Sequence, residues 1–163
     1  MKIKTLTVNG LFAAMYIVVS MIIQPIAFSS IQFRVPEIFN HLVVFNKKYI
    51  YGVVLGVFLS NLFFSPMMPY DIVFGVAQSI IGLVITIFTA RFIKSVWKRM
   101  WVNTIVFTVT MFIIAFELKL ALNFPFFYSW GTAAVGEFVV MAIGMPIMMA
   151  IHKKARLDTL IEE

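Results

Sequence analysis

The chain contains no cysteine. That excludes a disulfide framework, thiolate chemistry and any cysteine-ligated metal centre. Histidine is nearly absent too. His41 and His152 are far apart in sequence and fall at opposite ends of the topology derived below, so they do not converge with other ligands on a metal. Charge is scarce. Only 12% of the 163 residues are Asp, Glu, Lys or Arg, while 62% are hydrophobic, against about 25% and 45–50% in an ordinary soluble domain. Too few charged groups remain to coat a water-facing surface, and the mean hydropathy of +1.00 agrees. The bilayer must therefore be the solvent for most of the chain. No GxxxxGK[ST], HExxH or GxSxG pattern occurs, so P-loop ATP binding, zincin chemistry and the α/β-hydrolase nucleophile are excluded. The net charge of +6 does not point to nucleic acid, because in a membrane chain the placement of basic residues carries the information.

What is present are six apolar segments, at about 7–28, 36–45, 49–64, 70–93, 101–122 and 130–151. At about 20 residues per spanning helix, six spans use about 120 residues. The remainder has no room for an ATP-binding domain. The first segment is too long for a signal-peptide core and is read as a retained helix. The second is short, begins at Pro36, a residue suited to the first helical position, and counts as a span only if adjoining loop residues lie at membrane depth within the protein. The fold expected is a single all-α integral membrane domain, a six-helix bundle with both termini on one side. With those termini cytoplasmic, Lys2, Lys4, Lys47, Lys48, Arg91, Lys94, Lys98, Arg99, Lys153, Lys154 and Arg156 lie inside and only Arg34 and Lys119 outside, a split of 11 to 2. This is the positive-inside pattern, and the expected location is the plasma membrane of a prokaryote, crossed several times with both termini cytoplasmic.

The acids are distributed differently. Asp158, Glu162 and Glu163 lie in the polar tail. Glu37, Asp71, Glu117 and Glu137 each fall at or just inside the outer end of a different segment. A carboxylate in a membrane segment is expensive and marks a functional site by default. Four at one level outline an outward-facing polar pocket suited to a cation or to a neutral molecule rich in hydrogen-bond donors. Each has a simpler reading. Glu117 beside Lys119 can snorkel to the interface, Glu37 can pair with Arg34, and Asp71 can serve a helix N-terminus. Glu137, well inside its segment, is hardest to explain structurally. Asn61, Gln78, Gln32 and Trp130 lie near the same level. Asp71, Gly75, Gln78 and Gly82 share a helix face by spacing. Small residues recur at Gly10, Ala13 and Ala14, and again at Gly52, Gly56 and Ser60. This spacing lets helices approach closely, within the chain or against another membrane protein.

The stretch Ile31-Gln32-Phe33-Arg34-Val35-Pro36-Glu37, the Gly52-x-x-x-Gly56 run leading to Asn61, and Asp71-Ile72-Val73-Phe74-Gly75 resemble the QueT family, substrate-binding S components of energy-coupling factor (ECF) transporters assigned to queuosine precursors. Pro36 is a departure from the family's usual start of the second segment. The resemblance implies capture of a 7-deazaguanine, such as 7-aminomethyl-7-deazaguanine or queuine, at the outer face. It also implies partnership with a transmembrane coupling protein and two ABC-type ATPases, no cofactor, and no enzymatic activity. Glu137 and Asp71 would accept hydrogen bonds from the ligand. Asn61, Gln78 and Glu37 would orient it, with Arg34, Gln32 and Trp130 also lining the site. Gly10 and Ala14, beside Ala13, would match the small-residue pattern that contacts the coupling protein. Composition and spacing by themselves leave other readings open: an S component for a flavin, thiamine or biotin, a small intramembrane enzyme, or a proton-coupled carrier.

Overall fold

The structure is a computed structural model that describes residues 2–27 and 33–161. Every element among these residues is helical: α1 (Ile3–Ala27), α2 (Leu42–Phe45), α3 (Ile50–Phe64), α4 (Tyr70–Thr89), α5 (Val96–Leu122) and α6 (Phe126–Ala155), with 3-10 turns at Val35–His41 and Lys47–Tyr49. Four helices, α1, α4, α5 and α6, are long and apolar enough to cross a membrane. The fold is thus an all-helical membrane bundle.

The Val35–His41 turn and α2 form one continuous segment of a different kind. A 3-10 helix rises about 2 Å per residue, so the eleven residues from Val35 to Phe45 extend over about 20 Å, short of the roughly 30 Å hydrocarbon layer. None of these residues is exposed. The segment runs through the middle of the bundle, against α6, α1 and the other helices. Surrounding protein, not lipid, therefore receives its polar side chains, which makes Glu37, Asn40 and His41 tolerable there.

His41 shows how. Its Nε2–H donates to the Met141 carbonyl at 2.9 Å, and its Nδ1 accepts from Asn103 Nδ2 at 3.1 Å. Asn103 Oδ1 lies 2.8 Å from the Thr86 hydroxyl. This chain links the central segment to α6, α5 and α4, and it requires the neutral ring with hydrogen on Nε2. His41→Leu keeps the bulk but orphans the Met141 carbonyl and the Asn103 amide. It is expected to destabilise the protein by about 2–3 kcal/mol, which thermal unfolding of the purified protein would read as a fall in Tm, with ligand affinity at unchanged temperature largely retained.

The small-residue stripe of α3 is an internal seam. A Cβ on Gly52 would lie 2.7 Å from the Asn9 carbonyl oxygen, and one on Gly56 would lie 2.7 Å from Tyr16 Cβ. The absence of side chains lets α3 press on α1. Asn9 Oδ1 accepts the Gly52 N–H at 2.8 Å, one of the first-turn donors left over at a helix N-terminus. On α1 the small residues part company. Gly10 and Ala14 face outward, whereas Ala13 is 3% exposed and belongs to the core. Ala13 therefore cannot be part of an outward docking face; a step of 100° per residue turns it away from Ala14.

The C-terminal tail is part of the fold and not merely a solvated end. Arg156 closes α6 in the left-handed conformation, with φ 48°. The chain then turns back, burying Leu157 and Ile161 completely. The Tyr49 hydroxyl donates to the Leu157 carbonyl at 2.9 Å and the Thr5 hydroxyl to the Ile161 carbonyl at 3.1 Å. The N-terminus, the α2–α3 junction and the tail thus meet at one end of the bundle. Lys2, Lys4, Lys47, Lys48, Lys153, Lys154 and Arg156 belong to the segments gathered there. The acids described next lie toward the other end.

Candidate functional site

Arg34 immediately precedes the central segment and is the hub of the site. Its Nη2 is 3.5 Å from Glu37 Oε1, and its charge also acts on Glu137, Asp71 and Glu117. All four acids picked out by their position in the sequence are therefore within electrostatic reach of one guanidinium. Their partners differ sharply.

Glu37 is fully satisfied. Oε1 accepts from the Tyr16 hydroxyl at 3.0 Å as well as from Arg34, and Oε2 accepts from Asn40 Nδ2. It serves as an anchor between α1 and the central segment. Glu137 faces Glu37 and Arg34 from α6. It is completely buried, and neither of its carboxyl oxygens has a hydrogen-bond partner. Because α6 starts at Phe126 and not at Trp130, Glu137 lies about 16 Å along the helix, deeper than two turns.

Asp71 occupies the first turn of α4, where the helix dipole favours an acid. The Ser65 hydroxyl donates to its Oδ2, and its backbone carbonyl accepts from Asn61 Nδ2 at 2.8 Å. Gly75, one turn further, makes way for that amide: a Cβ there would stand 2.6 Å from Asn61 Nδ2 and 3.7 Å from Arg34 Nη2. Glu117 reaches Asp71 from α5. Like Glu137 it is completely buried and no amide or hydroxyl donor reaches its oxygens, but its carboxyl pairs with that of Asp71 through a side-chain hydrogen bond. Its side chain does not snorkel past Lys119 to the interface.

A cleft of about 30 Å³ opens between Tyr16, Ser20, Ile23, Arg34, Pro36, Ser60, Asn61 and Phe64. It has room for ordered water but lies far below the 300 Å³ or more of a typical ligand pocket. A bicyclic ligand therefore requires side chains to move. Chemically the site is rich in acceptors and poor in donors. Among the described residues no group of His, Cys, Asp and Glu is arranged to hold a metal ion.

The remaining sequence candidates are placed as follows. Gln78 lies on the same face of α4 as Asp71, but its amide nitrogen Nε2 donates to Thr110 Oγ1 at 3.2 Å and joins α4 to α5 below the acids. Gly82 beneath it is pressed on the Phe107 ring. The shared face is real, yet only its upper half meets Arg34. Trp130 donates its indole N–H to the Val109 carbonyl at 3.2 Å and packs against Phe112 and Phe126, so it joins α6 to α5. Gln32 lies outside the described residues. Tyr16 and Ser65 are not among the residues the sequence points to, and Ser60 stands there only as a small packing residue. A phenol within the apolar run of α1 was the one available signal for Tyr16.

The family "QueT transporter" matches residues 6–153. The Queuosine precursor transporter QueT of Lactococcus lactis subsp. cremoris (strain MG1363) is 34% identical, over 91% of this chain and 92% of its own length. No solved structure matches the chain. These relatives are transporters and not enzymes, and the match extends over nearly the whole bundle: the chain belongs to the QueT transporter family.

Proposed function

We propose that this protein captures a queuosine precursor of the 7-deazaguanine class at the outer end of the bundle, as the S component of an ECF-type importer. The observation that carries the reading is Glu137. A buried carboxyl with two free oxygens is costly, and a guanine-like edge supplies what it lacks, adjacent N–H donors that one carboxylate accepts in bidentate fashion. Arg34, held by Glu37, balances charge beside it, and Asn61, bonded to the Asp71 carbonyl, lines the cleft together with Arg34. In this reading six segments cross the plasma membrane, both termini are cytoplasmic, and the 11 to 2 distribution of basic residues sets that orientation. ATP hydrolysis is the work of partners, a coupling membrane protein and two ABC-type ATPases, with Gly10 and Ala14 presented outward for docking.

Mass spectrometry of small molecules retained by the purified protein tests the ligand class. A deazaguanine is the expected result, and a flavin, thiamine or biotin overturns it. Glu137→Gln exchanges one acceptor oxygen for a donor facing the ligand's own donors. A loss of about 100-fold in affinity is expected, with about 10-fold for Asp71→Asn. Unchanged titration calorimetry for both variants would remove the ligand from this pocket. Uptake by cells lacking the coupling protein and ATPases would overturn the importer reading in favour of an autonomous carrier.

A further inference from the structure

Between Asp71 and Glu117 the chain has no acid, yet the nine residues from Arg91 to Arg99 carry four bases. They form the hairpin between α4 and α5. Asp71 starts α4 and Glu117 lies near the end of α5, so the hairpin sits at the end of the bundle away from the acidic site. Arg91, Lys94 and Lys98 are exposed. Among the described residues none of the four bases has an ion-pair partner. Arg99 is half-buried, and its Nε–H is shut away from solvent with no acceptor. The turn's own backbone is already engaged, since the N–H groups of Ala90, Arg91, Phe92 and Ile93 bond to the carbonyls of Ile87, Phe88 and Thr89. What the hairpin presents is therefore side chains: a cationic cluster that the fold leaves without a counter-ion.

The neighbours of these bases narrow the occupant. Phe88, Phe92, Trp97 and Trp101 are all well exposed and interleave with the bases along the hairpin. Arg91 stands over the Phe88 ring, 5.3 Å from its centroid, and Phe92 packs edge-on to the same ring at 5.5 Å. Rings in this setting belong at the boundary of a bilayer, where indoles sit at headgroup level. Long basic side chains at that level reach the phosphates while their stems stay on the apolar side. The positive-inside rule accounts for basic charge at this end of the bundle, and Lys153 and Lys154 meet it equally. It does not account for the interleaved rings. The run from Ile151 to Asp158 has no Phe, Tyr or Trp, and its acid, Asp158, lies 3.9 Å from His152.

We propose that the α4–α5 hairpin is a binding site for the headgroup of an anionic phospholipid. Lys94, Lys98 and Arg99 hold the phosphate oxygens, for which a guanidinium and two ammonium groups are matched donors. Trp97 and Trp101 flank the glycerol region, and Phe88 and Phe92 meet the acyl chains. The site is separate from the pocket for the transported molecule and does not depend on that molecule's identity.

The protein carries its own reporter, because two of its three tryptophans, Trp97 and Trp101, flank the patch. The test reconstitutes the full-length protein in phosphatidylcholine vesicles containing either brominated phosphatidylglycerol or brominated phosphatidylcholine, and reads quenching of tryptophan fluorescence. The wild-type protein is expected to prefer the anionic lipid by about fivefold or more at low salt, with the preference shrinking as salt is raised. Lys94→Gln with Lys98→Gln and Arg99→Gln is expected to bring the preference to about one. Lys153→Gln with Lys154→Gln, at the same end of the bundle, should leave it within about twofold of wild type. Equal quenching by the two lipids in the wild type overturns the site, and that comparison needs no variant to fold. A preference that survives the triple variant overturns its assignment to the hairpin. An equal loss in the Lys153 and Lys154 variant shows a diffuse surface charge and overturns it too. Inorganic phosphate in place of chloride at equal ionic strength separates the two sources of phosphate. An unchanged preference supports the lipid, and its abolition identifies free phosphate as the occupant and overturns the lipid.

Discussion

Arg34→Ala is expected to abolish measurable ligand binding and to lower stability by about 3 kcal/mol. The charge of Arg34 acts on Glu37, Glu137, Asp71 and Glu117. Removing it leaves Glu37 buried with the neutral donors Tyr16 and Asn40, and it takes from Glu137, Asp71 and Glu117 the positive charge that acts on them. Taking one member from a buried ion pair costs more than the pair itself contributes, because the survivor stays desolvated. For a chain of this size such a loss lowers Tm by roughly 10 °C. A double variant separates the two effects. Arg34→Met with Glu37→Met removes both charges and substitutes apolar bulk, so part of the lost Tm should return. Binding should not return, since the positive centre that organises the site is still gone. Full binding by the double variant would show that Arg34 serves only the fold, and an unchanged Tm for Arg34→Ala would show that the pair is not buried as described.

The reason this site was legible in the sequence, and where legibility ended, is physical. Acids in membrane segments are rare because they are costly, so four of them at one level stood out without any structure. Partner assignment was not legible. Spacing made Arg34–Glu37 a pair, but nothing in the sequence distinguished Glu37, served by a guanidinium, a phenol and an amide, from Glu117, which meets another acid, Asp71. Proximity to Lys119 even favoured an interfacial role for Glu117. Helical spacing correctly put Asp71, Gly75, Gln78 and Gly82 on one face, yet a face extends the length of a helix. Gln78 lies low enough to meet Thr110 on α5 instead of the acids. The short second segment was visible as an anomaly of length. Its 3-10 geometry and its position inside the bundle were not, because both depend on what surrounds it. The tail looked solvated since its residues are mostly polar, whereas two apolar side chains, Leu157 and Ile161, decide its course.

Ala14→Trp is expected to stop uptake in cells holding the whole transport machinery while ligand affinity stays within about threefold of wild type. Ala14 is exposed on α1, and on the same face a Cβ at Gly10 would meet nothing within 4 Å. Bulk added there enters lipid or a partner and leaves the bundle undisturbed. Two small residues four apart form a flat strip on which another helix can lie backbone to backbone, and an indole would hold that helix away. Gly52→Ala is the control, because it adds far less bulk but faces inward. Its Cβ would stand 2.7 Å from the Asn9 carbonyl oxygen, a backbone atom that cannot rotate aside. α1 and α3 would have to separate, at a cost of about 1–3 kcal/mol, and both stability and ligand affinity should fall. The contrast separates two meanings of one sequence pattern: the small residues of α3 close the fold, while Gly10 and Ala14 face outward. Normal uptake by Ala14→Trp would reject docking through this face, since the substitution is large enough to break any close helix contact made there.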